Sequence, residues 1–265
     1  MKLNLTHKKF KIFRETVPMV LFILFIKVLL NYYGWEFIST SSLLTSIVSG
    51  GVFVLGFILS STHADYKESE KLPVDLSTSI ESIYNDGQLF KRKYKKFDVD
   101  KLNDILFSIL KSFKKDLVDH TKVAFFKAKE LSDIFEKLEK YGLPANYIVK
   151  LKQDQNVIMR VILRVNYIQR IQPIPSAFIL VESIVIGLIL ILLFTKMDSL
   201  VNELMATGFI TFIFIYMLKL IKVMEKPFHN EGSTMDDVSL FHLEEQLGRV
   251  RKSPRTKLRK QDTVL

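Results

Sequence analysis

The apolar positions gather into four long runs, at residues 17–32, 43–60, 177–194 and 207–223, paired on either side of a charged stretch. These runs are continuous rather than alternating. Each is near the ~20 residues a helix needs to cross the apolar core of a bilayer, so they predict four transmembrane helices. The stretch between the pairs, residues 62–173, instead shows apolar residues at helical spacing. One segment opens near Asp98 or Asp100 and sets Leu102, Ile105, Leu106, Ile109, Leu110 and Phe113 on one face. Another carries Val123, Phe126, Leu131, Ile134, Phe135 and Leu138 and stops at Gly142. A third starts at Pro144 and continues through Val149, Val157, Val161 and Val165. Gly87 and the Gly142/Pro144 pair are expected to punctuate these helices. No strand-length pattern of period two is present. The pattern therefore predicts an all-α membrane protein with four transmembrane helices per subunit and a large helical cytoplasmic domain. Its segments are an N-terminus at 1–16, two spans within 17–60, the helical domain at 61–175, two spans within 176–224, a returning segment at 225–248 and a basic tail at 249–265.

Charge placement orients the spans. Residues 33–42 hold no lysine or arginine, and residues 195–204 hold only Lys196. The N-terminus, the middle stretch and the tail after Lys219 are rich in both, so these three parts belong in the cytoplasm. Tyr32, Tyr33 and Trp35 then fall at the outer interface, where amphipathic aromatics anchor a helix. The first run lacks a small-residue cleavage site and is followed by a second span, so it reads as an anchor in a multi-pass cell-membrane protein. Composition agrees: 48% of the 265 residues are hydrophobic and 25% charged, values compatible only if the two are segregated. The net charge of +10 follows from the same topology rule and needs no nucleic-acid partner. With no cysteine, neither disulfides nor thiolate metal sites are available.

The second run carries a finer pattern. Ser42, Ser46, Ser49, Phe53, Phe57 and Ser60 recur at intervals of three and four and form one narrow helical stripe. Leu44, Ile47, Val48, Val54, Leu55, Ile58 and Leu59 occupy the opposite face. Two readings fit. In the first, the serines and Gly50, Gly51 and Gly56 let helices pack closely, with the phenylalanines filling a bundle interior. In the second, the stripe lines a water-filled path narrowed at Phe53 and Phe57, a constriction that gates by dewetting. One helix cannot enclose a pore, so the second reading requires several subunits around an axis.

At this stripe the chain resembles the bestrophin channels. The run Phe53-Val54-Leu55-Gly56-Phe57 is similar to their pore helix, and Asp65-Tyr66-Lys67-Glu68 stands where members carry an aromatic-and-charged run. Arg170-Ile171-Gln172-Pro173-Ile174-Pro175 resembles the bacterial members' P-x-P entry to the third span. Glu225-Lys226-Pro227-Phe228 resembles their E-x-P-F exit from the fourth. The resemblance implies a homopentamer with five copies of the second span around a pore. Phe53 and Phe57 match two of three neck positions; Ser49 takes the third, normally apolar, which implies a shorter or leakier neck. Ser42, Ser46 and Ser60 would line the path beside it. A second constriction, in the cytoplasmic domain, falls near Tyr147 or Ile148 by spacing back from Pro175. Members that bind calcium do so through an acidic cluster after the last span; here Glu231, Asp236 and Asp237 are too sparse to imply calcium control. The implied partners are other copies of the chain, membrane lipids including anionic headgroups, and small inorganic ions, with no cofactor. Both anion-conducting and cation-preferring members exist, so the resemblance does not fix the ion's sign. The run Lys91-Arg92-Lys93-Tyr94-Lys95-Lys96 reads either as a solvated or headgroup-contacting face or as an anion-attracting one.

Ionisable residues within apolar spans are costly and usually point inward. Glu182 and Lys219 lie at similar depth from the cytoplasmic ends, which predicts an ion pair between the third and fourth spans. The alternative has Lys219 and Lys222 snorkelling to the surface. Lys27 lies deeper and has no partner visible in the sequence. Signals for catalysis are absent from the pattern. His7, His63, His120, His229 and His242 lack metal-ligand spacing, and neither a phosphate-binding glycine loop nor a nucleophile elbow is present. His63 beside Asp65 is either a pH-sensitive group at the pore's inner mouth or an ordinary exposed histidine. The reading is a channel and not an enzyme. The runner-up is a membrane-anchored helical scaffold or signalling protein acting through its cytoplasmic domain.

Overall fold

The computed structural model describes residues 10–170, 175–228 and 238–251, most of them helical. In chain order these are α1 (Lys11–Tyr32), β1 (Ile38–Ser39), α2 (Ser42–Lys93), α3 (Val99–Asp119), α4 (Val123–Lys129), α5 (Leu131–Lys140), α6 (Ala145–Arg170), α7 (Pro175–Leu193), β2 (Thr195–Lys196), α8 (Leu200–Glu225) and α9 (Phe241–Arg251). The two strands, unforeseen from the sequence, form one short parallel ladder with Ile38 opposite Thr195 and Ser39 opposite Lys196. The chain divides into two compact units. One lies within Met1–Tyr66 and Gln172–Pro227; the other lies within Lys67–Ile171, with Phe228 and the residues from Val238 onward.

The first unit holds the apolar runs. Helices α2, α7 and α8 are long and apolar enough to cross a membrane; α1, over the first run, also carries Lys11, Arg14, Glu15 and Lys27 and is not among them. Leu55 of α2 packs with Phe178, Val181, Val185 and Leu188 of α7 and with Phe214 and Ile221 of α8. Gly51 lies at this contact, where an added Cβ would have to displace the end of the Leu188 side chain. Helix α1 packs chiefly on α8, where Phe13 meets Phe212 edge-on at 5.8 Å and Gly208 lies close beneath Leu24.

The second unit is a set of amphipathic helices around an aliphatic core. Asp98 caps α3, accepting a bond from the Lys101 amide at 3.1 Å, and the six predicted α3 positions are all buried. Three expectations are corrected. Gly87 does not interrupt a helix; it lies within α2, and a Cβ there would come 2.5 Å from Leu102, so its absence lets α3 approach. The single helix expected from Val123 to Leu138 is two, parted at Glu130. The change of phase buries Ala124 and Ala128 and leaves Val123 and Phe126 exposed. Val149, at the start of α6, is also exposed, whereas Val161 and Val165 are buried as expected. Gly142, at φ +83°, turns the chain from α5 toward α6.

Candidate functional site

Helix α2 presents the serine–phenylalanine stripe without interruption. Ser42, Ser46, Ser49, Phe53, Phe57 and Ser60 are all exposed, with Phe53 75% and Phe57 67% exposed. On the opposite face Leu44 and Leu55 are buried, and Val48, Ile58 and Leu59 pack against the core. The Ser46 hydroxyl donates to the Ser42 carbonyl at 2.9 Å, so it is satisfied along its own helix while its oxygen still faces outward. The interior-filling reading therefore fails within one protomer, where the two rings fill nothing. Of the three glycines in this run, only Gly51 answers to close packing; a Cβ at Gly50 or Gly56 would meet nothing.

The charges in the same unit are arranged differently from the expected pairing. Glu182 is bound by Lys222, whose Nζ lies 2.5 Å from Oε1, while Lys219 reaches Glu15 of α1 at 3.4 Å. Counting depth by residue misassigned the partner because side chains lean toward the N-terminus of their own helix. On α7 that direction is toward the helix's first turn, and on the antiparallel α8 it is away from the last turn. Glu182 and Lys222 thus lean toward one another.

Lys27, without a partner in the sequence, has several. Its Nζ lies 2.5 Å from Oε1 of Glu36 and 3.7 Å from Oε2 of Glu203, and it donates to the carbonyls of Leu193, at 3.3 Å, and Thr195. The side chains of Lys27, Glu36 and Glu203 are 0%, 3% and 1% exposed. Asn31 donates to both carboxylates, at 2.8 Å to Glu36 and 3.4 Å to Glu203. The Met197 amide adds a 2.6 Å bond to Glu203. Burial raises the Glu36 carboxyl, but the bonding and charge of Lys27 and the hydrogen bond from Asn31 outweigh it. Glu36 therefore titrates below its ordinary value. This cluster ties α1, the loop before β1, β2 and α8 together, and β1 ends three residues before the stripe helix begins.

In the second unit, Ile148 is buried in the protomer's own core, which withdraws it as a residue facing a pore. Tyr147 is exposed and meets the Phe90 ring edge-on at 5.6 Å. Lys91, Arg92 and Lys93 form the last turn of α2, where cations favour the helix dipole, and the side chains of Lys91 to Lys93 and of Lys95 and Lys96 are exposed. In the aromatic-and-charged run, Glu68 receives the Arg164 guanidinium through two 3.2 Å bonds. His63 is exposed. Residues 171–174 of the entry motif, with Glu231, Asp236, Asp237, His7 and His229, lie outside the described residues, as does the tail after Arg251. Among the described residues no group of three or more histidines and carboxylates is arranged to hold a metal.

No protein-family model and no curated protein matches the sequence. Solved structures do match the fold. Three variants of a bacterial bestrophin homologue from Klebsiella pneumoniae superpose with TM-scores of 0.75, 0.75 and 0.73 at 13%, 14% and 12% identity. The matches cover 90%, 89% and 89% of this chain and 100%, 97% and 98% of those chains. The chain has the fold of the bacterial bestrophin homologues, over nearly its whole length.

Proposed function

We propose that the protein is a bestrophin-type ion channel, a homopentamer in which five copies of α2 surround a pore passing small ions passively across a cell membrane. The observation that carries this reading is the exposure of Phe53 and Phe57 together with the serines in line with them. An apolar face flanked by hydroxyls is unsuited to a single chain's surface and suited to a ring of copies around water. In that ring Phe53 and Phe57 form the hydrophobic neck, Ser49 widens it at the third position, and Ser42, Ser46 and Ser60 supply oxygens to a partly dehydrated ion. The stripe carries no formal charge, so the neck does not itself choose between chloride and a monovalent cation. α1 serves as the fourth span, with Lys27 neutralised by the carboxylates beside it, and both termini lie in the cytoplasm. Tyr147 is the remaining candidate for a second constriction.

The test is the purified protein in detergent and in liposomes. A fivefold oligomer is expected, with tracer flux that rises when Phe53→Ala and Phe57→Ala are combined. A monomer or dimer with silent liposomes overturns the reading. Reversal potentials in asymmetric salt then give the sign of the ion.

A further inference from the structure

One end of the second unit is formed by a short run of chain that α6 holds in place. The buried Asp116 carboxylate caps α4, accepting from the amides of Val123 at 3.1 Å and Ala124 at 2.7 Å and from the Thr121 hydroxyl. Asn166 of α6 donates to the Thr121 carbonyl at 3.1 Å, and Arg170, the last residue of α6, donates to the His120 carbonyl. Gln169 donates to the carbonyls of Leu117 at 2.9 Å and Phe228 at 3.4 Å. Two of the chain's connections to the apolar helices leave from this end: α7 begins five residues after Arg170, and α8 ends three residues before Phe228. Extended chain spans at most about 3.6 Å per residue, so α7 starts within about 18 Å of Arg170.

The side chains at this end are mixed in character. Val118, Val123 and Phe126 are 53%, 45% and 62% exposed, whereas Leu131, Ile134, Phe135 and Leu138 of the next helix, α5, are all buried. Lys122, Phe126 and Lys129 follow one another at intervals of four and three and share one face of α4. The Lys129 ammonium stands over the Phe125 and Phe126 rings, 4.9 and 5.7 Å from their centroids. Lys115 and Lys127 have carboxylate partners in Asp119 and Glu130; among the described residues Lys122, Lys129 and Arg170 have none. An exposed phenylalanine between unpaired lysines suits neither a core nor bulk water. It suits the boundary of an anionic membrane, where the ring enters the headgroup layer and the ammonium groups reach phosphate oxygens.

We propose that α4 docks on anionic lipid headgroups of the leaflet on the second unit's side, with Val123 and Phe126 in the boundary and Lys122, Lys129 and Arg170 on phosphate. Docking at α4 rests on α7 and α8 being membrane spans. Held by Asp116 and by α6, α4 presents this face without having to order on contact, which lowers the entropic cost of binding. The headgroup contact that the sequence allowed at residues 91–96 then moves to α4. That run lies at the opposite end of α6: the Tyr94 hydroxyl donates to the Gly142 carbonyl at 3.1 Å, and Phe90 meets Tyr147 in the first turn of α6. The 26 residues of α6, about 39 Å at 1.5 Å per residue, stand between the two basic surfaces.

The test uses the full chain, whose lack of cysteine gives each engineered thiol a single label. Phe126→Cys, and Lys95→Cys as the control at the far end, carry an apolar spin label and are reconstituted in vesicles of phosphatidylcholine alone or mixed with phosphatidylglycerol. Both leaflets have the same composition, so the orientation of the chain does not affect the reading. In the mixed vesicles the label at 126 is expected to show a slowed population that a headgroup-borne relaxing agent reaches, while the label at 95 stays mobile and water-exposed in both. Adding Lys122→Gln and then Lys129→Gln is expected to lower the ratio of contacting to free label about fivefold at each step, and high salt should lower it too. If Phe126→Cys does not fold, Val123→Cys is read in its place. A label equally water-exposed in both vesicles overturns the proposal. So does a label slowed equally in both and indifferent to the two lysine substitutions, which would mark this face as covered by a second copy. The channel reading is tested apart from this: silent vesicles with lipid contact at 126 sink the channel and leave the surface standing, and flux with a water-exposed label does the reverse.

Discussion

The two units are built with opposite polarity. In the second, Leu106, Ile109, Phe113 and Phe135 are buried, and charged side chains such as those of the Glu136–Lys140 pair face outward. In the first, Phe22, Phe25, Phe53, Phe57 and Phe209 are exposed, while Lys27, Glu203, Thr207 and Thr211 are buried. A structure built like the second unit suits water as its solvent, and one built like the first suits lipid. The comparison also separates two kinds of exposed apolar surface within the first unit. On α1, exposed Phe22 and Phe25 come without any serine at helical spacing, as a lipid-facing surface requires. On α2 the exposed phenylalanines stand in a line of exposed hydroxyls, which suits a wet surface.

The largest effect expected from breaking this contrast is at Lys27. Lys27→Met removes the cation from two buried carboxylates and two carbonyls, and is expected to destabilise the assembled protein by about 5 kcal/mol near neutral pH. Denaturant unfolding in detergent measures it. The same substitution at Lys150, which pairs with Asp86 at 2.7 Å but is half-exposed, is expected to cost less than about 1 kcal/mol. Equal penalties would erase the distinction between the units.

Next come the aromatics. Phe135→Ala empties a fully buried site in the second unit and should cost about 4 kcal/mol. Phe57→Ala removes a ring that touches no core and should change stability by less than about 0.5 kcal/mol while raising tracer flux. A Phe57→Ala protein as unstable as Phe135→Ala would mean that the stripe is a packing surface after all. Smaller still is Lys222→Met. It breaks a pair whose two side chains are 51% and 41% exposed, so a loss under about 1 kcal/mol is expected, and Lys219→Met should leave Glu182 undisturbed.

Legibility in the sequence followed the range of the interaction. The stripe was readable because Ser46, Ser49, Phe53 and Phe57 share one helix, and its periodicity alone sets their common face. The buried face of α3 was readable for the same reason. The Lys27 cluster was not, because Glu36 lies in a loop and Glu203 on a helix far along the chain, and no periodicity connects them. Glu182 was given the wrong lysine because depth along an axis omits the lean of the side chains. Gly87 was misread as a break because composition does not tell a glycine that ends a helix from one that admits a neighbour; Leu102, which decides the matter, is on another element. The two short strands escaped notice because two residues make no pattern.

The smallest effect belongs to a pair on the second unit's surface, and it tests whether water is that surface's solvent. Glu136 and Lys140 sit one helical turn apart with Nζ 2.6 Å from Oε1. The hydrogen bond to Lys140 and its charge lower the Glu136 carboxyl, and the same two causes raise the Lys140 ammonium. For Glu136 the stabilisation is present above the ordinary glutamate range and is lost as pH falls through its lowered titration. For Lys140 it is present below the ordinary lysine range and is lost as pH rises through its raised titration. The pair is thus insensitive to pH between these limits. Lys140→Ala should return the Glu136 titration to its ordinary value, read by carboxyl-carbon NMR of selectively labelled protein, and leave global unfolding unchanged. Salt should do the same, since exposed charges are screened within a Debye length. A Glu136 titration indifferent to salt would show that this face is covered in the assembled protein, and the contrast between the two units would then have to be redrawn around that contact.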